Sequence, residues 1–538
     1  MKRRFACTLM VMLPLMLSMS TVAFAQDDDG MSFGVDEVET PAEASPVAEF
    51  LEEGKKLYKA EKFAEASLLI YKVISAVDNG DVGAEALLPE AEYELGKALF
   101  RLELYQGALT YFGRVVDAGD AHPYYLPTLR GLVLLTEVIP SDQTLLSRLA
   151  PYASNFPQDV PKKYRDQYAY LVGRYLYSVG EYEKALELLN YIKPSSKEYL
   201  NARYIAGVTH VGNYDAKQAV AAFKDVLRPL TGKLADDDLE PEDRQLLELT
   251  WLGMARVFYS VGEYNKAIKY YSLIPRKSPV WPKALFESSW AYFQLDKANK
   301  ALGNLHTINS PFFARSYFPE APILSGVIFF YNCKYARVRY ELEEFEFTYL
   351  PIKDELETVI ADNEDPGKMV EWLRDLQSGK SDSDEQITRI LAASLDDKQI
   401  QRKLKLIEAT SVELGKIEKL PSTWKSSALG SSLVQDATVA REFAINELGE
   451  LVQSRLRRVR DQIVDLNVNR ERILFEVERA ERGEIEAEMR AEMQLESNVT
   501  DTKRVAVTDE ELYWTFDGEY WKDELGYYFF TVNTECKR

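Results

Sequence analysis

The chain repeats itself. A small residue followed twelve places later by alanine recurs as Gly54 with Ala66, Gly96 with Ala108, Gly173 with Ala185, Gly207 with Ala219, Ala255 with Ala267, and Ser289 with Ala301. Gly173 to Gly207 and Ala255 to Ser289 are the same step of 34 residues. An aromatic stands three places before the alanine as Phe63, Tyr105, Tyr182 and Tyr264, and a turn glycine precedes two of these as Gly180 and Gly262. A pair of small residues at this spacing marks where two antiparallel helices come closest, because only small side chains fit there. Such a hairpin cannot bury its apolar face alone, so neighbours must stack, and this decides the fold before any other signal.

Residues 48 to about 310 therefore resemble tetratricopeptide repeats, most closely in the units Tyr168 to Ile192, Leu200 to Leu227 and Leu249 to Ile274. The resemblance implies an all-α, right-handed solenoid of about seven helix hairpins with a concave groove that receives a partner. Two departures stand out. The step from Ala219 to Ala267 is 48, which reads as an acidic loop inserted from Gly232 to Asp243. The step from Ala108 to Ala185 is 77, so the segment Pro123 to Asp159 holds either one divergent hairpin or a break in the stack. From Tyr317 to Leu350, Tyr-Phe-Pro-Glu-Ala and the run Gly326 to Tyr335 read as a further hairpin. That wording resembles tetratricopeptide proteins of the delta-proteobacterial cell envelope, some associated with gliding motility.

The N-terminus reads as a secretory leader over residues 1–25: Lys2, Arg3 and Arg4, an apolar run from Phe5, then Ala23-Phe24-Ala25. The run is too short to span a bilayer. Residues 26–46 carry acids and prolines without an apolar period and are expected to be a disordered acidic leader. Export places the protein in the periplasm or cell envelope. Cys7 falls in the removed segment, so Cys333 and Cys536 remain; an oxidising compartment permits one bond between them, while the apolar surroundings of Cys333 also fit a buried thiol. With 65 basic and 86 acidic residues, the net charge of −21 disfavours nucleic acid and anionic lipid as partners.

The sequence divides further into repeats over 47–350, a helical connecting region over 351–430, a long amphipathic helix over 431–500 and an aromatic-rich cap over 501–538. In the long helix, Ile445, Leu448, Val452, Leu456, Val459, Ile463, Leu466, Ile473 and Val477 make one apolar face, which calls for packing on the helices of 353–420 or for a coiled-coil partner. The cap gathers nine aromatic rings between Leu512 and Phe530. Such a segment either clamps onto the preceding helices or presents a docking patch.

Nothing in the chain points to catalysis. His122, His210 and His306 have no second ligand at metal spacing, so neither a metal nor a cofactor is expected. Gly379-Lys380-Ser381 ends like a phosphate-binding loop, but Arg374 stands where its first glycine should be. The informative residues sit on the first helix of each unit. In this repeat type, positions one after and three before the small residue look into the groove; these and the next turn give Tyr93, Lys97, Arg101, Tyr170, Arg174, Tyr177, Tyr204, Arg256, Tyr259 and Trp290. Cations and tyrosines in an acidic protein suit a peptide bearing carboxylates, with guanidinium forks binding them. The same pattern fits a solvated face, or a groove filled by the protein's own acidic leader or Glu-rich helix end.

The expectation is thus a non-enzymatic scaffold of the envelope that binds other envelope proteins, within a motility or assembly complex. The alternatives are an accessory domain for cell-wall glycan, with Tyr and Trp stacking on sugars, and a non-catalytic subunit of an envelope enzyme.

Overall fold

The computed structural model describes residues 46–491, apart from 120, 141–142, 151–155, 159, 161, 236–237, 314–315 and 381–383, together with 516 and 518–536. The expected secretory leader, nearly all of the acidic leader, and Tyr513 and Trp514 lie outside these residues. In chain order the hairpins are α1 (Pro46–Lys59) with α2 (Phe63–Asp78), α3 (Leu88–Arg101) with α4 (Tyr105–Asp117), and α5 (Tyr125–Val138) with the short α6 (Gln143–Leu149). Then come α7 (Arg165–Ser178) with α8 (Tyr182–Tyr191), α9 (Tyr199–Gly212) with α10 (Ala216–Ala235), and α11 (Pro241–Ser260) with α12 (Tyr264–Tyr271). The last two are α13 (Trp281–Gln294) with α14 (Ala298–Ile308), and α15 (Glu320–Tyr331) with α16 (Tyr335–Asp362). After them follow α17 (Pro366–Ser378), α18 (Glu385–Ser394), α19 (Lys398–Lys419), α20 (Ser422–Lys425) and α21 (Ala428–Ala491). The chain forms two compact units, Met1–Val226 with Asp397–Leu448, and Leu227–Asp396 with Gly449–Arg538.

The hairpins share one register. A Cβ added at Gly54, Gly96, Gly173 or Gly207 would come within 2.5 to 2.9 Å of Ile70, Phe112, Leu189 or Phe223, in each case the residue sixteen places on. Ala66, Ala108, Ala185 and Ala219, at twelve places on, are fully buried in the same seam. Seven places after the small residue the backbone turns left-handed, at Glu61, Glu103, Gly180, Tyr214, Gly262, Asp296 and Cys333. The next residue then donates its N–H back across the helix end, as Lys62 to the Leu57 carbonyl and Glu181 to the Leu176 carbonyl, both at 2.9 Å. These bonds satisfy carbonyls that the helix end would otherwise leave bare. Only two of the seven turn residues are glycine, so the turn was visible in sequence at those two alone.

The expected divergent segment is a hairpin with a shortened second helix, α5 and α6. The expected acidic loop after Gly232 is mostly helix instead. Both α10 and α11 run to 20 residues, so the extra length of that unit extends its helices, and Lys233 closes on Asp243 at 2.7 Å. Gly379 is the left-handed cap of α17, with φ of 72°, which gives the Gly-Lys-Ser sequence a structural reason.

In the first unit, α19, α20 and the start of α21 pack onto the early hairpins. The Glu413 carboxylate on α19 accepts the N–H groups of Gln106 and Gly107 at 2.9 to 3.2 Å, and so caps the start of α4. A carboxylate there offsets the positive end of the helix. Burial nevertheless pushes the Glu413 carboxyl up to about 7, against the opposing pull of those N–H groups and Lys416. Trp424 is 1% exposed and donates its indole N–H to Ser67 Oγ at 3.0 Å. Leu433 packs where Gly107 leaves room, and Lys403 pairs with Glu447 at 2.6 Å.

In the second unit, the remainder of α21 spends its apolar face inside the chain. Val452, Leu456, Val459, Ile463, Leu466, Ile473 and Val477 are all buried. Each aliphatic side chain so covered contributes on the order of 2 kcal/mol, leaving this face nothing to offer a coiled-coil partner. Its neighbours lie on α17, α18 and the last hairpin. Gly449 abuts Pro366, Gln453 donates to the carbonyls of Asn363 and Glu364 at 2.9 Å, and Arg455 donates to the Ser394 carbonyl at 3.1 Å. Farther along, Arg470 donates to the Leu342 carbonyl and pairs with Glu346, and Arg339 forks onto Glu481 through two bonds of 2.6 Å.

The aromatic tail lies on the same unit. Cys333 and Cys536 are joined by a disulfide, and Cys333 sits in the left-handed turn between α15 and α16. The apolar context that suited a buried thiol belongs to α15; the cysteine itself is two positions past its end.

Candidate partner-binding face

The ten residues singled out by the repeat register fall on the first helices of five hairpins, and the structure places them in three environments. Tyr93, Tyr170 and Tyr204 are buried, at 1%, 6% and 2% exposure. Tyr93 stacks on Tyr124 with ring centres 5.0 Å apart, and Tyr204 lies 5.8 Å from Phe223. Burial drives the Tyr93 and Tyr170 hydroxyls upward from their ordinary range, so these phenols stay neutral. They belong to the packing between and within hairpins.

The second group is cationic and already matched by carboxylates. Lys97 is 8% exposed, pairs with Glu94 at 2.5 Å and lies over the rings of Tyr58 and Tyr93 at 5.2 and 5.0 Å. In the second unit, Arg256 on α11 grips Glu287 on α13 through Nε and Nη2, at 2.9 and 2.6 Å, while the Tyr271 hydroxyl donates to the same carboxylate at 3.0 Å. Burial alone would raise the Glu287 carboxyl, but Arg256, Lys283 and Tyr271 outweigh it and hold the group below its usual range. Lys283 is pushed down to about 8 by its own burial and by Arg256 and Arg455. Lys55, beside Gly54, repeats the device in the first unit by reaching Glu90 of the next hairpin at 2.8 Å. Arg256 and Lys55 thus tie one hairpin to the next, while Lys97 pairs along its own helix.

The third group keeps surface. Arg101 is exposed and covers the Phe63 ring at 4.7 Å. Arg174 and Tyr177 are half-buried on α7, the latter 6.0 Å from Tyr182. Tyr259 and Trp290 in the second unit are also half-buried, and burial with the neighbouring Tyr264 pushes the Tyr259 hydroxyl up to about 12.

Sequence reasoning missed what stands beside Arg174. Its guanidinium lies 5.7 Å from the Tyr170 ring, and the charge of Arg402 on α19 acts on the same phenol. Arg402 is half-buried, and its charge is disfavoured first by burial and then by Arg174. Glu198, at the start of α9, feels Arg174 as a counter-charge, although burial raises its carboxyl. Nothing in the spacing of repeats could have found Arg402, because α19 is not a repeat helix. The partner carboxylates Glu94 and Glu287 were hidden by the abundance of acids in the chain.

The register of small residue, alanine at twelve and packed side chain at sixteen, with a left-handed turn at seven, is now traced through hairpins of both units. The fold is all-α and of the tetratricopeptide type. No protein-family model matches the chain. No curated protein matches it either. Among solved structures the chain is similar to a tetratricopeptide repeat protein from Parabacteroides merdae, at 16% identity over 56% of this chain and 92% of that one, with a TM-score of 0.23. It is also similar to the apo form of RapI, at 12% identity over 74% and 98% of the two chains with a TM-score of 0.29, and to the TPR domain of P58(IPK), at 13% identity over 78% and 98% with a TM-score of 0.15. These overlaps are too slight to carry function. Among the described residues no helix is long and apolar enough to cross a membrane, and no group of three His, Cys, Asp or Glu side chains is placed to hold a metal ion.

Proposed function

We propose that the chain is a non-catalytic scaffold that binds other proteins, and that its first unit takes a partner segment bearing carboxylates at Arg174 and Arg402. The observation that carries this reading is the Arg174 guanidinium 5.7 Å from the Tyr170 ring, with the half-buried Arg402 of α19 acting electrostatically on the same phenol. Tyr177, one turn along α7 from Arg174, offers a flanking contact, and Arg101 on α3 lies two hairpins away. An exported, envelope-located protein is the setting we infer. The basic and apolar N-terminus of the sequence supports it, and so does the Cys333–Cys536 bond, which is of the kind that persists in oxidising compartments. A place in a motility or envelope-assembly complex is the finer form of the same reading.

The test compares the wild-type protein with an Arg174→Glu, Arg402→Glu double variant, by affinity purification from the envelope and by titration with a short oligoglutamate peptide. The reading expects unchanged helical circular dichroism, loss of at least one partner, and peptide binding weakened by about tenfold or more, the worth of one charge-assisted bond. Unchanged retention of every partner and of the peptide would sink it. Arg256 is a poor probe, since its reversal would break the pair with Glu287 that joins α11 to α13.

A further inference from the structure

Along α14, one side is covered by a segment that arrives from far along the chain. Gly526 donates its N–H to Thr307 Oγ1 at 3.1 Å, Val532 donates to Asn299 Oδ1 at 3.0 Å, and the Phe530 N–H reaches the Asn299 carbonyl at 3.4 Å. Gly303 makes the seat possible: a Cβ there would stand 1.9 Å from the Tyr528 carbonyl oxygen. His306 is enclosed by the rings of Phe516, Tyr520, Tyr528 and Phe530, with centres 4.6 to 5.7 Å away. At the flanks, Arg276 stacks on Tyr527 at 3.9 Å and donates to the Asp523 carbonyl, and Lys300 lies over Phe529 at 5.4 Å. Beyond Val532 the last ties are the Glu535 N–H to the Asn332 carbonyl, the pair of Lys334 with Glu535, and the disulfide.

We infer that this track on α14 is a peptide-binding site, occupied in cis by residues 516–536, and that opening the Cys333–Cys536 bond frees it to take the same tail from a second copy of the chain. Two features support exchange. The tail is recognised by main-chain bonds and ring contacts that require no continuity with the rest of its own chain, which is how extended peptides dock on preformed surfaces. It also seats only one side, with Trp521 and Tyr527 still 57% and 75% exposed.

The chemistry balances simply. A dithiol reductant gives two electrons and two protons to the Cys333–Cys536 bond, leaving two thiols and an oxidised reductant. Closure between copies forms one Sγ–Sγ bond from Cys333 of one and Cys536 of the other, while oxidised glutathione takes up the electrons and protons and leaves as two glutathione molecules.

Two full-length variants, both also Cys7→Ser, test the exchange. The tail donor carries Cys333→Ser and Gly303→Leu, so that its own track is blocked. The track donor carries Cys536→Ser and Gly526→Val, so that its own tail is unseated; Gly526 has φ of +83° and its Cβ would meet Trp281 at 2.8 Å. Mixed in a glutathione redox buffer and run on a non-reducing gel, they are expected to give a disulfide-linked heterodimer. Adding Gly303→Leu to the track donor should reduce that dimer about tenfold or more, the effect of losing two hydrogen bonds. A dimer indifferent to Gly303→Leu means thiol collision only and overturns the proposal, as does the absence of any dimer. Should either variant lose its helical circular dichroism, a synthetic peptide of residues 516–538 added to the reduced Cys536→Ser protein replaces the donor. Anisotropy that fails to rise, or rises equally with Gly303→Leu, then overturns it.

Discussion

The two units are built from the same hairpin and are finished differently. In the first, the returning helices close by burying polar groups: Glu413 caps α4 from inside, and Trp424 bonds to Ser67 out of contact with water. In the second, beside the buried face of α21, further closing parts lie nearer the surface. Ion pairs such as Arg339–Glu481, each side chain more than a third exposed, and an extended tail are held by one covalent bond. Exposed pairs contribute little singly. The lesson is that one repeat chemistry tolerates two kinds of ending: one sensitive to packing, the other to redox state.

The largest effect should come from the covalent ending. Opening a disulfide that spans 203 residues releases chain entropy worth up to about 5 kcal/mol in the loop-closure picture. A Cys536→Ser variant should therefore lose protection from hydrogen exchange over α14 and α15, with α1 to α4 unchanged. Equal loosening of both units would break the contrast. Next in size, Trp424→Ala empties a fully buried site and strands Ser67, at a cost of about 4 kcal/mol, and should loosen α2 and α19 while the tail stays protected.

Protonation acts in both units, and can be read in each separately. Glu413 in the first unit and Glu341 in the second are both pushed up to about 7, in each case chiefly by burial. A carboxyl raised on folding adds stability that is complete below its unfolded value of 4.5 and is lost as pH climbs through 7. Stability should thus fall between pH 5 and 8 by on the order of 2 kcal/mol for the better buried Glu413. Glu413→Gln should flatten the decline in the first unit alone, as read by denaturant melts across pH. A Glu413→Gln protein with an undiminished slope would show that another group titrates.

The smallest effect tests what the units share. Tyr214 and Asp296 hold left-handed turns, with φ of 58° in both, where an L side chain is strained by about 1 kcal/mol. Tyr214→Gly and Asp296→Gly should each stabilise by several tenths of a kcal/mol, part of the relief being offset by the freer unfolded chain. Opposite signs in the two units would mean that the turn is not equivalent in them.

Much of this was readable beforehand, and the reason is periodicity. Gly54 with Ala66 or Gly207 with Ala219 can be recognised because each close approach is local and repeated. The return of α19 was not readable, because Glu413 meets Gln106 across 307 positions and no period links them. The candidate site fared likewise. Register picked out Tyr93, Arg174 and Arg256 as one class, but their surroundings differ: Tyr93 lies in a stack, Arg256 in a fork on Glu287, and Arg174 beside a guanidinium from a non-repeat helix. Register gives a residue its direction, whereas its partners depend on segments the period does not contain.

The disulfide has a mechanical consequence. Cys333 and Cys536 bracket α16 to α21 in one closed covalent loop. Tension applied between the N-terminal hairpins and residues beyond Cys536 would travel along the chain to Cys333 and cross directly to the C-terminus, so none of the helices in the loop would bear it. Under such a load an oxidised molecule would extend by its hairpins up to α15 alone, and a reduced one would pass the load through every helix to α21.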